Sequence, residues 1–496
     1  MGPASDAIEA AVASVTDDAD AASVAAALRS VTPAQVDAVL DGTDRRPTSP
    51  PSGDLLAEGA GVSPGTSTGI VCTSATDLLD LADAGAAAVL WVDATSPADE
   101  PAMRLAAAVV TATGGPASHA AIVARQWGVP AVCSVGHRPP PAGLLVTVDG
   151  AAGTVRAASG PVAGPDASDM ARPGVLPPAL EVLLDLADAV VAGRTLVTAN
   201  AETAGDVALA RRLGAVGVGL CRTEHQFTGP AAPLVRPVLE GTADDAALAA
   251  LAAAQAGGLT EVLTAADGAL VKVRLLDAPL HEFLEDHGEA NPMLGLRGAR
   301  LALVRPGLVE AQVGALLDAA DAAMAMRVAV TVPMVASVDE FLAVAERVRE
   351  AVRHHGSSTA VEVGAMVETP RAALVADALA EVADYLSFGT NDLTQLVWGL
   401  SRDDVHADVR AAQADGGLDP FTSFDLGGVG PLVADAVDRA RAVAPGVPVS
   451  VCGEHAADPV AVGFLCRAGV DELSVAPRRV PSVRLAVAQA WLGAVA

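Results

Sequence analysis

Lysine is almost missing from this 496-residue chain: Lys272 stands alone, and Lys plus Arg total 31 against 60 Asp plus Glu, a formal net charge of −29. Such an acidic surface argues against nucleic acid and anionic membrane as partners, because like charges repel. A compositional lean toward Ala, Arg, Asp and Gly accounts for the acidity without a dedicated function. Because basic groups are few, arginines beside strand ends become candidate anion ligands. Aromatic residues make up 2% of the chain, so its core has to be built from Ala, Val and Leu. The five cysteines, Cys72, Cys133, Cys221, Cys452 and Cys466, form no CxxC and are odd in number. That argues against a disulfide framework or a zinc site and for a reducing cytoplasm. The N-terminus MGPASDAIEAA lacks a basic region followed by an apolar run, and no uninterrupted apolar stretch reaches the roughly 18 residues of a membrane span. A protein that is neither exported nor membrane-embedded is expected.

What the chain does have is a hydrophobic content of 51% with Gly and Pro scattered throughout, the mark of a globular protein of two or three domains at this length. Residues 1–58 read as an Ala-rich helical connector, with Thr32-Pro33 as a helix start, followed by the linker DRRPTSPPSGD. Residues 59–163 carry short strand-like runs (GIVCT, AAVLWV, AAVVTA, PAVCSV, LLVTVDG, GTVRAA), a small α/β domain. Residues 164–194 belong to a second joint, rich in Pro, Gly and Ala where it begins. From 195 to 496 strand and helix patterns alternate: TLVTAN, GVGLC, LVKVRLL, AVTVPMV, AVEVGAMV, YLSFG, VPVSVCG and ELSVA. Eight such units fit a (β/α)8 barrel, and an open doubly wound sheet is the competing architecture. Polar residues after nearly every strand favour the barrel, whose strand exits form one rim.

The stretch from Val361 to Arg402 centres the chemistry. Two apolar strands, VEVGAMV and YLSFG, are each followed by an acid, Glu368 and Asp392, and parallel strands bring such exits together. Two hard oxygen ligands on one rim suit Mg2+, although an acid after a strand also serves as a helix N-cap. Gly389 permits close backbone approach, Asn391 precedes the acid, and Arg402 follows. Other strand exits supply Arg222, Arg274 and Cys452, with Arg297 close by in sequence. Arginines around two metal-binding acids describe a pocket for a small, multiply anionic ligand. A thiol facing such a pocket stays protonated and is able to act as acid or base. In the small domain, GGPASHAAIVAR places His119 at a Gly-turn-to-helix junction, where backbone amides stabilise a phosphoryl group carried on the imidazole.

GLCRTEHQF, VRLLDAPLHEFL, NPMLGLRGARL, MVETPRAAL, SFGTNDLTQLVWGLSRDD and VCGEHAADP occur here in an order that resembles the phosphoenolpyruvate (PEP)-utilising enzymes, in their pyruvate phosphate dikinase branch, over nearly the whole chain. The resemblance implies a swivelling phosphohistidine domain and a barrel that binds PEP or pyruvate with Mg2+. His119 would carry the phosphoryl group, Arg222 and Arg274 would hold the phosphate, and Glu368 and Asp392 the metal. Asn391 and Arg402 would orient the substrate carboxylate, with Gly389, Thr390 and Arg297 completing the binding set. Cys452 would exchange the proton at the methylene carbon. It also implies a homodimer through the barrel.

The departures from that pattern are specific. The dikinase's N-terminal nucleotide-binding domain has no counterpart here and no GxxxxGK[ST] occurs, so the half reaction between PEP and His119 is expected, with a separate nucleotide-binding or phosphoacceptor protein as partner. Ala117 replaces the threonine that usually precedes the Ser-His pair, HAADP replaces HGGDP, and Leu296 stands where a histidine is common. Two other readings accompany this one. An Enzyme I-like phosphotransferase would need a helical insert for which there is no room between Gly69 and Thr113, and a non-catalytic PEP-binding paralogue would keep the pocket alone.

Overall fold

The computed structural model describes residues 2–16, 20–41, 53–95, 99–115, 118–136, 139–158, 176–227, 231–284, 288–401, 420–421 and 423–493. Two compact units result, Met1–Leu186 and Ala187–Ala496. Residues 42–52 and 159–175 of the two linker stretches lie outside the described residues, as do Ala117 and Arg402; the remainder of the second joint is instead a helix, Pro178–Val191.

The first unit opens with three helices, Pro3–Ala13, Ala21–Ser30 and Pro33–Leu40. The last starts where Thr32-Pro33 marks it: Thr32 accepts from the Gln35 backbone N–H, and Gln35 reaches back to Thr32, a reciprocal capping box. An eight-stranded sheet follows: β1 Leu55–Glu58, β2 Ala60–Ser63, β3 Thr66–Cys72, β4 Ala88–Val92, β5 Ala108–Thr111, β6 Ala131–Cys133, β7 Leu145–Asp149 and β8 Thr154–Ala157, in the order β1-β8-β7-β3-β4-β5-β6-β2. β3 to β6 are parallel, and the flanking pairs are antiparallel. Both faces of the central strands are buried: Leu90 and Val109 pack in one cluster, while Val89, Trp91 and Val110 pack in another. Strands covered on both sides read as continuous apolar runs, which is why AAVLWV and AAVVTA were legible. β1 and β2 are four residues each, too short and too mixed to stand out.

The second unit is a closed barrel of eight parallel strands: β9 Leu196–Asn200, β10 Val218–Arg222, β11 Val271–Arg274, β12 Arg327–Val332, β13 Ala360–Val367, β14 Leu386–Phe388, β15 Val449–Val451 and β16 Glu472–Val475. All eight sequence runs are strands, and β16 closes on β9. The helix expected between β13 and β14 is two short pieces, Pro370–Leu374 and Ala376–Ala380, interrupted where Val375 leaves helical geometry (φ −117°, ψ 26°). The helix Asp245–Ala266 is long and apolar enough, by length and composition, to cross a membrane. It packs here against the helices Pro306–Ala322 and Ala204–Arg212.

The barrel interior holds the chain's one lysine and one tyrosine. Lys272 Nζ lies 2.6 Å from Glu472 Oε2 and 4.8 Å from the Tyr385 ring centroid. Thr198 donates to the other Glu472 oxygen at 2.8 Å, and the Tyr385 and Thr331 hydroxyls are 2.6 Å apart. Gly364 leaves room for the tyrosine, since any Cβ there would collide with the ring. These groups satisfy one another where water cannot, which buried charge requires. They plug the barrel beneath the rim.

Candidate active site

Strand register puts Arg222 directly beside Arg274 at the ends of β10 and β11. Each arginine is held by carboxylates. Arg222 lies 3.5 Å from Glu202, and Arg274 is ion-paired with Glu224 and lies 3.5 Å from Asp277. Arg297 grips both Asp277 oxygens, at 2.8 and 2.6 Å, and extends its remaining nitrogen to Asp392 Oδ1 at 3.1 Å. This two-pronged hold fixes the guanidinium plane far better than a single contact would. Arg274 Nε, Glu202 Oε2 and Glu224 Oε2 are buried without a hydrogen-bond partner among the described residues. Orphaned donors and acceptors at strand exits are what a bound polar ligand satisfies.

Glu368 follows β13 and is 1% exposed. Its Oε1 accepts the Met334 backbone N–H at 2.6 Å. Met334 achieves this in the left-handed region (φ 52°), unusual for a non-glycine residue. Gly389 is required opposite, because a Cβ there would approach Glu368 Oε2 to 2.5 Å. Burial first, then the Asp392 and Asp277 charges, push the Glu368 carboxyl up to about 8, against the opposing pull of Arg274 and Arg297. Three arginines (Arg222, Arg274, Arg297) face five carboxylates (Glu202, Glu224, Asp277, Glu368, Asp392) in this network. The excess of negative charge falls on the Glu368–Asp392 pair. Among the described residues no group of three or more His, Cys, Asp or Glu is arranged to hold a metal. Mg2+ asks for only one or two carboxylates and fills its other positions with water and substrate oxygens, so the crowded acid pair fits it.

Cys452 follows β15, is 2% exposed, and packs with Leu220 and Met366 inside the barrel mouth. Its sulfur accepts from Ser387 Oγ at 3.5 Å and donates to the Phe388 carbonyl at 3.6 Å. Burial raises its pKa, Ser387 works against that rise, Glu368 adds to it, and Arg274 and Arg222 oppose it, the net direction being up. The thiol is therefore neutral at physiological pH. Asn200 anchors the loop by donating to the Cys452 carbonyl at 3.1 Å while accepting from Ser474 at 2.7 Å. Cys72, Cys133 and Cys466 are buried free thiols, as is Cys221 beside Arg222.

The segment Gly389–Asp392 is pinned from the other side. Asn391 Oδ1 accepts the Glu454 backbone N–H at 3.0 Å. His455, 4% exposed, lies 3.2 Å from the Pro420 carbonyl through Nε2 and 3.1 Å from Thr390 Oγ1 through Nδ1. A carbonyl only accepts, so Nε2 donates to Pro420, and Nδ1 and the Thr390 hydroxyl share the second hydrogen bond. That leaves Thr390 to meet a ligand through its backbone. Gly453 makes the approach possible, because a Cβ there would overlap Thr390 Oγ1. The rim therefore gathers Arg222, Arg274, Arg297, Glu368, Gly389, Thr390, Asn391, Asp392 and Cys452.

Residues 182–492 match the family described as PEP-utilising enzyme, PEP-binding domain, and residues 85–153 match that described as PEP-utilising enzyme, mobile domain. The chain belongs to the PEP-utilising enzymes. It is 36% identical over 490 residues to pyruvate, phosphate dikinase 1, chloroplastic, of Arabidopsis thaliana, covering 88% of this chain and 50% of that protein. It is 35% identical over 523 residues to pyruvate, phosphate dikinase of Rhizobium meliloti (strain 1021), covering 94% of this chain and 56% of the relative. The pyruvate, phosphate dikinase 1, chloroplastic, of Zea mays is 37% identical over 517 residues, covering 93% and 54%. The chain thus spans about half the length of these curated relatives.

His119 lies in the other unit, within the matched mobile domain. It is the first residue of the helix His119–Trp127, whose N-cap Ser118 accepts from the Ala121 backbone N–H at 3.4 Å. Gly114 (φ 104°) makes the preceding turn, and a Cβ there would crowd Ser118 at 3.1 Å. Sequence reading missed Glu202, Asp277, Met334, Asn200 and His455 as contributors to this rim. Glu202 and Asp277 did leave a signal, as acids shortly past apolar strands.

Proposed function

We propose that this chain moves a phosphoryl group between PEP and His119, with pyruvate as the dephosphorylated partner. The observation that carries the reading is a neutral, buried thiol, Cys452, on the same rim as the Arg222–Arg274 pair and the crowded Glu368–Asp392 pair. In the PEP-to-histidine direction the bond between the PEP bridging oxygen and phosphorus breaks and a bond from phosphorus to the His119 imidazole forms. The released enolate takes a proton at its methylene carbon from Cys452, giving pyruvate. Arg222 and Arg274 hold phosphate oxygens against the developing charge. Asn391, Thr390, Gly389 and Arg297 set the orientation of the substrate, with Arg402 joining them. Glu368 and Asp392 hold Mg2+, which when bound supplies charge neutralisation for phosphate and enolate oxygens.

The mobile domain carries His119 to the rim and away again to a nucleotide-binding or phosphoacceptor unit outside residues 1–496. We place the protein in the cytoplasm, where five unpaired buried thiols persist, and as a homodimer through the barrel. The test is a single-turnover mix of PEP, Mg2+ and protein. Pyruvate appears in an amount stoichiometric with the chain, and Arg274→Gln and Cys452→Ala suppress it. Binding of PEP without any pyruvate would overturn the reading in favour of a non-catalytic PEP-binding protein.

A further inference from the structure

Beside the rim, and sharing Arg297 and Met334 with it, the described residues of the barrel unit form a half-open pocket of about 380 Å³ whose walls also include Arg300, Arg371, Leu294 and Leu396. Among the described residues three arginines and no carboxylate line it, with Glu340 beside Arg300 and Glu289 against Gly295 of the same wall. Arg297 is consumed by Asp277 and Asp392, but the other two arginines are not. Arg300 reaches only Glu340, with Nε 3.5 Å from Oε1, and Glu340 spends Oε2 on the Ala336 and Ser337 backbone N–H groups. Arg371 donates one N–H, to the Ala336 carbonyl. A guanidinium offers five donors, and both side chains are exposed, so most of the donors of Arg300 and Arg371 face solvent and are open to a ligand. Leu294, Met334 and Leu396 give the same cavity apolar surface.

We propose that this cavity is a second ligand site, for a small organic anion carrying a carboxylate or phosphate on a short apolar body. Arg300 and Arg371 clamp the anionic end, and the body rests on Leu294, Met334 and Leu396. Its walls touch both proposed metal carboxylates: Met334 donates its backbone N–H to Glu368 at 2.6 Å, and Arg297 reaches Asp392 at 3.1 Å. Met334 holds its left-handed conformation against Gly298, where a Cβ would lie 2.6 Å from the Met334 Cβ. A ligand bearing on the Met334 side chain therefore bears on the hydrogen bond that sets Glu368. Thermodynamic linkage makes the coupling reciprocal, so occupancy of the cavity and cation binding at the rim shift each other.

The probe is n-butylphosphonate, titrated calorimetrically into the full chain. Wild type binds it, Arg300→Gln/Arg371→Gln weakens binding by at least about tenfold, and Arg327→Gln, an exposed arginine at the opposite end of the barrel strands, leaves it intact, with Arg274→Gln run beside them to detect probe held at the rim. Arg300 and Arg371 are exposed, so the double variant keeps its fold, checked by an unchanged melting temperature. The apparent Mg2+ affinity then shifts with saturating probe in wild type and not in the double variant. No binding at millimolar probe, binding untouched by the double variant, or binding lost only in Arg274→Gln would each overturn the proposal. These readouts involve no phosphoryl transfer, so their failure is separable from failure of the proposed reaction.

Discussion

Replacing Glu368 with Gln removes one charge from the crowded pair without changing its shape, and the consequence is calculable. In the metal-free fold the Glu368 carboxyl sits at about 8 instead of 4.5, chiefly through burial and then through Asp392. A carboxyl raised in the folded state contributes stability that is fully present below the unfolded value and is lost as pH climbs through the folded value. Stability of the metal-free wild type therefore declines between about pH 4.5 and 8. Raising a pKa by one is worth about 1.4 kcal/mol, so the full decline is on the order of 4–5 kcal/mol. For a unit of this size that is roughly 8–10 °C in melting temperature. The glutamine of Glu368→Gln has no proton to release and escapes this decline. The assay is differential scanning calorimetry of wild type and Glu368→Gln from about pH 6 to pH 9, in chelator and in excess Mg2+. Taking the difference between the two proteins cancels the titrating groups that do not interact with Glu368. In chelator the wild type loses stability relative to Glu368→Gln as pH rises, and Mg2+ restores the wild type alone. Parallel curves in chelator, or equal Mg2+ stabilisation of both proteins, would refute the like-charge argument and the metal assignment with it.

Cys452→Ala is expected to lower exchange of the pyruvate methyl protons with solvent by about 100-fold or more, the usual contribution of a positioned acid–base group. NMR of pyruvate in deuterated buffer reads it, and unchanged exchange would remove the thiol from the reaction. Lys272→Met, which leaves Glu472 buried and unpaired, costs about 3–5 kcal/mol, whereas Lys272→Met/Glu472→Leu recovers most of that loss in chemical denaturation. If the double variant is no more stable than the single, the buried pair is not the cause. His455→Phe removes the bonds to Thr390 and Pro420 and loosens the Gly389–Asp392 segment. It raises KM for PEP by about tenfold, as the loss of roughly one to two buried hydrogen bonds implies, while leaving the melting temperature of the first unit unchanged.

The barrel was legible because parallel strands covered on both sides are nearly unbroken apolar runs, and most of them run into a polar residue at the same edge. Arg222, Arg274, Glu368 and Asp392 could be assigned to one rim from that rule alone. What holds them there was not legible. Asp277 and Arg297 come from a long excursion after β11, and nothing local says that Asp277 returns beneath Arg297 and Asp392. Met334 carries no sequence sign of its left-handed backbone, since that conformation is imposed by packing against Gly298 and by the Glu368 carboxylate. His455 looked like a loop residue because both its partners, Thr390 and Pro420, are at least 35 residues away. The lone lysine was visible as an oddity of composition, and only the barrel shows it ion-paired beneath the rim.

The central claim is that the phosphoryl group of PEP reaches His119. Intact-mass measurement of the chain after incubation with PEP and Mg2+, beside His119→Ala, tests it most directly. A phosphoryl adduct that is lost in acid, present on the wild type and missing from His119→Ala, is the expected result. An adduct on both proteins, or none on the wild type while PEP is bound, would contradict the account.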